Sequence, residues 1–234
     1  RKNVGLLVKS FLETFKNKAQ QPALILKTSS GAASYMDREV ILGKINSIKK
    51  TVRGKLPNIY LLHGDFSDSE VNELYNHNKV KAMISLTKGE GFGRPLLEFT
   101  QTKKPIITTG WSGHIDFLKP DMSVLLPGTL GDVHPSAQNK WLIQGSKWFD
   151  VDTMSLGRVL KDTHKKYKDF IPNSRRQATY TKENFSFDKM KEKLNTILES
   201  NVAKQVELKL PKLKKIGGDK TELPKLKLPK LQKI

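Results

Sequence analysis

Apolar residues at positions 7, 8, 11, 12 and 15 fall three or four apart, the spacing that lines one face of a helix. The chain then runs into an unbroken apolar stretch in PALILK at 22–27. Helix followed by strand is the simplest reading, and the alternation repeats. Helical spacing over 37–52 leads to the strand-like NIYLL at 58–62, and helical spacing over 67–77 leads to VKAMISL at 80–86. A helix opening at Pro95 and reaching Thr102 precedes PIITT at 105–109, a short helical piece at 114–118 and SVLL at 123–126. Strands that are apolar throughout, separated by amphipathic helices, predict an α/β fold with a parallel sheet covered by helices on both faces.

Beyond Leu126 the pattern changes. Residues 127–151 are rich in Gly, Pro and Trp and read as loop, and helical periodicity returns over 152–169, 173–183 and 187–200, expected to pack on the sheet. The end is different in kind: LPKLKKI at 210–216 recurs as LPKLK at 223–227 and LPKLQKI at 228–234, with prolines too frequent for a helix. The chain is therefore read as one domain, 1–203, and a Lys/Leu/Pro repeat tail, 204–234. Such composition suits a solvated extension. Three copies of a short unit suit an extended segment that docks on a protein partner at a sheet edge, and the lysines suit an anionic membrane surface. The residues do not choose among these.

Charge widens the set of partners before chemistry narrows it. The chain has 42 Lys+Arg against 23 Asp+Glu, a net +19, and the tail accounts for only ten of the lysines. A basic body points to polyanions: nucleic acid, a membrane surface or phosphorylated small molecules. No module for reading bases accompanies the charge, so no specific nucleic acid is expected. The absence of cysteine excludes disulfides, thiolate metal sites and cysteine nucleophiles. His63, His77, His114, His134 and His164 lack ligand spacing, and no metal is expected. No apolar run reaches the ~20 residues of a membrane span and no signal segment opens the chain, so a cytoplasmic setting is expected. Arg1-Lys2-Asn3 leads directly into the first helical pattern, which reads as a domain incomplete at its N-terminus.

The chemistry concentrates in TKGEGFGRPLLEF, 87–99. Pro95 suits a first helical position, where its missing N–H costs nothing. The stretch is thus strand, loop and helix start, at the carboxyl end of a strand where open α/β sheets bind ligands. A helix N-terminus there offers N–H groups to phosphate, and Gly89, Gly91 and Gly93 let backbone approach a ligand closely. Glu90 in the loop and Glu98 one turn into the helix are acceptor-only groups suited to sugar hydroxyls, each charge-assisted bond contributing ~1.5–3 kcal/mol. Acids near a helix start also complement its dipole, which accounts for Glu98 equally well, though not for three glycines. The spacing is neither G-x-G-x-x-G nor a Walker A sequence.

Glu90-Gly91-Phe92-Gly93-Arg94-Pro95-Leu96-Leu97-Glu98 resembles the E-x7-E motif of retaining glycosyltransferases of the GT-B fold, the large family-four group especially. VKAMISLTKGEGFGRPLLE and KPIITTGWSGHIDFL are similar to that family's strand, loop and helix and to its next strand and small-residue loop. The likeness covers about residues 1–200, and its wording resembles phage-encoded homologues, which would imply the host cytoplasm or association with the virion. It implies a Rossmann-like domain that binds a nucleotide-diphosphate sugar. It further implies a catalytic role and donor-sugar contact for Glu90, sugar and phosphate contact for Gly91, Phe92 and Gly93, and ribose contact for Glu98. RKNVGLLVKSF resembles the segment whose lysine holds the donor diphosphate, a role that falls to Lys2, with Lys27 a second candidate. LLHGDFSDSEVNELY matches the segment flanking the base, which implies His63, Gly64, Asp65 and Phe66. The family's acceptor-binding half has no counterpart in the sequence, so the chain alone is expected to bind donor and transfer it poorly, to an acceptor the residues do not name.

Three further features carry expectations. Asp150-Val151-Asp152 resembles a metal-binding D-x-D but opens a helical pattern, so Asp152 is expected as an N-cap. Gly110-Trp111-Ser112-Gly113 reads as a ligand-facing loop or a turn. Trp141, Trp148, Phe149, Phe185 and Phe187 read as packing anchors. Two rivals to the transferase reading remain: a non-catalytic binding or assembly module that docks through its tail, and a nucleic-acid binder, whose affinity would fall steeply with salt.

Overall fold

The first apolar stripe folds as α1 (Val4–Phe15), which buries Leu7, Val8, Phe11, Leu12 and Phe15. Removing each such side chain from water stabilises the fold by about 1.5–3 kcal/mol, so this stripe decides which face of the helix meets the sheet. The computed structural model describes residues 1–28, 33–140 and 142–201. Two compact units divide the chain, Arg1–Lys193 and Leu194–Ile234. The tail at 204–234, with its expected docking role, lies outside the described residues, as does Trp141.

In the first unit β1 (Leu24–Lys27) is followed by α2 (Tyr35–Lys50), β2 (Ile59–Leu62), α3 (Asp68–Asn76), β3 (Met83–Ser85), α4 (Arg94–Thr100), β4 (Ile106–Thr109) and β5 (Val124–Leu126). Sequence signals set the helix starts. Ser34 caps α2 by accepting from the Asp37 amide, and Ser67 and Glu70 close a capping box at α3. All strand pairings among these elements are parallel: Leu24 opposite Ile59, Met83 opposite Ile106, and Ile107 opposite Val124. The hydrogen bonds form two groups, β1–β2 and β3–β4–β5. One core nonetheless runs beneath both, joining α1, Leu24, Leu26, Leu86, Ile107 and Leu126. A second cluster, Leu96, Phe99, Ile106, Phe117 and Leu118, lies beneath α4.

The stretch 127–151 departs from expectation. It holds an antiparallel hairpin, β6 (Gly128–Asp132) with β7 (Lys147–Val151). Neither strand alternates cleanly, because pairing and close backbone approach hold them rather than a two-sided apolar pattern: a Cβ on Gly128 would lie 2.2 Å from the Asp150 carbonyl oxygen. Asp152 caps α5 (Thr153–Lys165), accepting from the Met154 and Ser155 amides. The next break falls at Lys166 rather than near Pro172, which sits inside α6 (Tyr167–Phe185). Buried Gln177 fixes α6, its oxygen accepting from the Lys119 amide and the Ser123 hydroxyl and its nitrogen donating to the Phe117 carbonyl. Phe149 and Phe185 pack as expected, Phe185 against Phe117 and Tyr180. Phe187, expected as an anchor, is 82% exposed at the start of α7 (Phe187–Asn201), a helix with no buried residue.

Candidate nucleotide-sugar site

The loop leaving β3 is locked from beneath by the loop leaving β4. The Ser112 hydroxyl donates to the Glu90 carbonyl at 2.6 Å and accepts from the Glu90 amide at 3.0 Å, and the Gly113 amide donates to the same carbonyl. Ser112 holds φ of 83°, a left-handed backbone conformation that costs a non-glycine residue about 1–3 kcal/mol and persists only where neighbours enforce it. Gly113 lies so close that a Cβ there would be 1.9 Å from the Gly91 carbonyl oxygen. Thr87 adds a hydroxyl that donates to the Gly89 carbonyl, and Thr109 reaches across to the Thr87 carbonyl. Gly93, at φ of 88°, turns the chain into α4. The amides of Gly91, Phe92 and Gly93 find no hydrogen-bond partner among the described residues.

Glu90 is the focus of this loop. Its side chain is 9% exposed and takes ion pairs from Lys2 and, at 3.3 Å, from Arg1. Burial pushes the carboxyl up, but hydrogen bonds from Lys2 and Thr87 and the charges of Lys2 and Arg1 outweigh it, holding the group below the usual carboxylate range. Arg1 also donates to the Gly89 carbonyl, and its own carbonyl accepts from the Lys88 amide at 2.9 Å. Lys88 pairs with Asp150 and lies over the Trp148 ring at 4.1 Å, while its carbonyl accepts from the Phe149 amide. The hairpin therefore buttresses the loop from one side and the N-terminal residues from the other.

A second group gathers at the carboxyl ends of β1 and β2. Lys27 closes β1 opposite Leu62 and lies 5.0 Å from the Phe66 ring centroid. His63 Nε2 meets Asp37 at 2.8 Å, both side chains nearly buried. Gly64, at φ of 122°, turns the chain between His63 and Asp65. Glu98 stands apart from both groups. It is 45% exposed and paired with Arg94 at 3.0 Å, and its charge, second to burial, raises the Tyr75 hydroxyl. No hydrogen bond or ion pair among the described residues ties Glu98 to Glu90. The helix-start amides expected to face phosphate are partly spent, since Leu96 and Leu97 donate to the Gly93 carbonyl and Pro95 has no N–H. What remains for an anion is the loop itself with Arg1 and Lys2.

The structure thus brings Lys2 onto Glu90 and Lys27 onto Phe66. It adds Arg1, Thr87, Lys88 and Ser112, none of which was singled out by its own chemistry. One signal for Arg1 was legible: two adjacent cations just ahead of a helix start oppose the helix dipole, an arrangement that calls for an acid or an anion nearby. Among the described residues no three His, Asp or Glu side chains gather as a metal group, and no helix is long and apolar enough to cross a membrane.

No protein-family model and no curated protein matches the sequence. Solved structures do match in fold. Anabaena HepE in complex with UDP-glucose aligns with a TM-score of 0.58 at 12% identity, over 85% of this chain and 45% of that one. The C-terminal domain of the group 1 family glycosyl transferase LpcC from Francisella tularensis aligns at 0.54 and 13%, over 80% of each chain. The pneumococcal O-GlcNAc transferase GtfA, in complex with UDP and GlcNAc, aligns at 0.53 and 16%, over 85% of this chain and 33% of that one. The chain spans less than half the length of HepE and GtfA and most of the isolated LpcC domain. Its parallel sheets, flanking helices and helical C-terminal segment are those of a GT-B Rossmann-like domain.

Proposed function

We propose that this chain binds a nucleoside-diphosphate sugar and forms the donor half of a retaining glycosyl transfer. The observation that carries the reading is the placement of Arg1 and Lys2 on a nearly buried Glu90, at a glycine-lined loop whose amides at 91–93 have no partner among the described residues. Two cations, one acid and open amides match a diphosphate attached to a polyol. HepE and GtfA, of the same fold, were solved with UDP and sugar bound, which supports the ligand class.

On this reading Lys2 and Arg1 turn from Glu90 to the diphosphate, whose negative charge they neutralise, and Glu90 accepts from the donor sugar's hydroxyls. Transfer breaks the bond between the anomeric carbon and the β-phosphate oxygen, which keeps the electron pair. A bond forms to an acceptor oxygen on the same face of the sugar, and that oxygen's proton passes to the departing diphosphate. Stabilising charge as it develops on the leaving diphosphate is the largest contribution a protein makes to such a step, and here it falls to Lys2 with Arg1 and the amides of Gly91, Phe92 and Gly93. Lys27 is a further phosphate contact, His63, Gly64, Asp65 and Phe66 flank the base, and Glu98 meets the ribose after leaving Arg94. The reading calls on no metal. Acceptor binding belongs to polypeptide beyond this chain, so donor binding is the direct readout.

Calorimetric titration of the native chain, Lys2→Ala and Glu98→Ala with UDP-, GDP- and ADP-glucose tests it. Loss of one charged hydrogen bond, ~1.5–3 kcal/mol, weakens binding roughly tenfold or more in each variant. Equal affinity in all three proteins removes the site as drawn. Loss in Lys2→Ala alone keeps the diphosphate pocket and returns Glu98 to its role beside Arg94.

A further inference from the structure

A half-open ring stands beside the Glu90 loop on the hairpin side. Trp111, in the loop leaving β4, is 40% exposed, and its ring lies parallel to that of Phe149 in β7, with 5° between the planes and centroids 6.4 Å apart. That is offset stacking at an ordinary distance. Phe149 is 7% exposed, so the stack buries the phenylalanine and leaves much of the indole to solvent. Leu130, opposite Phe149 across the hairpin and 46% exposed, adds apolar surface on the same face of the two strands.

Hydrogen bonds register this ring against Glu90 from both sides. Ser112, the residue after Trp111, bridges the Glu90 amide and carbonyl through its hydroxyl, and the Phe149 amide donates to the carbonyl of Lys88, just before Glu90. Both members of the stack are thus tied to the loop whose acid faces the donor sugar in the reading above. The Gly110 amide, on the Leu126 carbonyl at 2.9 Å, fixes the start of the same turn. Lys88 lies over Trp148, and among the described residues no cation lies over Trp111. A ring serving packing alone is better buried, as Phe117 is behind Phe92.

We propose that Trp111 forms a carbohydrate subsite, on which a saccharide acceptor lays the C–H face of its terminal sugar ring beside Glu90. This rests on the donor reading, which gives Glu90, Gly91, Phe92 and Gly93 to the donor sugar and leaves the ring on the neighbouring loop to the molecule that meets it. A pyranose with equatorial hydroxyls has C–H bonds on each face and O–H groups round its rim. A flat aromatic wall clamped beside a few polar groups suits that shape. A nucleobase also stacks on an aromatic ring, but the side chains proposed to flank the base stand at the β1–β2 rim. The subsite adds to acceptor binding by polypeptide beyond this chain and does not replace it.

Saturation-transfer NMR on the full chain tests it, comparing the native protein with Trp111→Leu and Trp111→Phe. The probes are methyl β-glucopyranoside and UMP, at ~10 mM because one stacked ring binds in the millimolar range. Saturation should reach the sugar's C–H protons in the native chain, fall about fivefold or more in Trp111→Leu and return in Trp111→Phe, which keeps a flat ring. Equal sugar signals in all three proteins overturn the proposal, and a lowered melting temperature beside them makes Trp111 a cover for Phe149. Saturation of the UMP base protons that depends on Trp111 as strongly as the sugar signal also overturns it. Displacement of the sugar by UDP-glucose but not by UDP does so too, because the ring then belongs to the donor. Failure of the donor reading is a separate result: no heat with any nucleotide sugar, beside a sugar signal that still depends on Trp111, removes the donor half and keeps the carbohydrate subsite.

Discussion

The two strand rims of the candidate site are built in opposite ways. At the β3–β4 rim the loop's backbone itself is clamped: the Ser112 hydroxyl bridges the amide and carbonyl of Glu90, the Gly113 amide donates to the same carbonyl, and Gly113 sits where no side chain fits. At the β1–β2 rim side chains do the holding, with His63 on Asp37 and Lys27 on Phe66, and Gly64 turns in open space with nothing within 4 Å of a Cβ built on it. On the function proposed above, the first construction suits the rim that holds the reacting bond and the second the rim that flanks the base, because packing and ion pairs adapt where a clamped backbone cannot.

Substitutions should separate the rims in order of size. Gly113→Ala drives a methyl into the Gly91 carbonyl and should cost about 3 kcal/mol and abolish donor binding. An unchanged denaturant midpoint would show the loops free to slide. Gly64→Ala meets no atom and costs only its backbone strain, about 1–2 kcal/mol, with the Glu90 loop unaffected; a loss as large as that of Gly113→Ala would erase the contrast. Lys27→Ala removes a cation over a half-buried ring and should cost about 0.5–1 kcal/mol by thermal melting, and a larger loss would mean that Lys27 carries structure at this rim.

Acid sharpens the comparison further. Glu90 is held below the usual carboxylate range, so its ion pairs stabilise the folded chain above the unfolded carboxyl's value and are lost as pH falls through the folded one. The stability gap between the native chain and Glu90→Gln should accordingly shrink on acidification. A gap that stays constant from neutral pH downwards would mean that Glu90 is not ionised in the native loop.

Much of the fold was legible because its signals are local. Stripes such as Leu7 to Phe15, apolar runs such as PIITT, and caps such as Ser67-x-x-Glu70 act within a few residues. The hairpin at 128–151 was not legible, because GTLGD and KWFDV derive their structure from each other and from Lys88, not from any periodicity of their own. Phe187 misled because an aromatic at helical spacing reads as core whatever faces it, and here it faces solvent.

The candidate site divides along the same line. Residue types and their spacing within 87–99 determined, without any coordinates, that a glycine loop with an acid follows a strand and precedes a helix. Only the tertiary structure decided which partners meet there: Arg1 and Lys2 on Glu90 across nearly ninety residues, Ser112 beneath it, and Glu98 turned to Arg94 instead. Beyond the two cations that oppose the dipole of α1, contacts so distant along the chain leave no mark in a local pattern that says which partner will be met, since either looks the same in isolation until packing brings the two together.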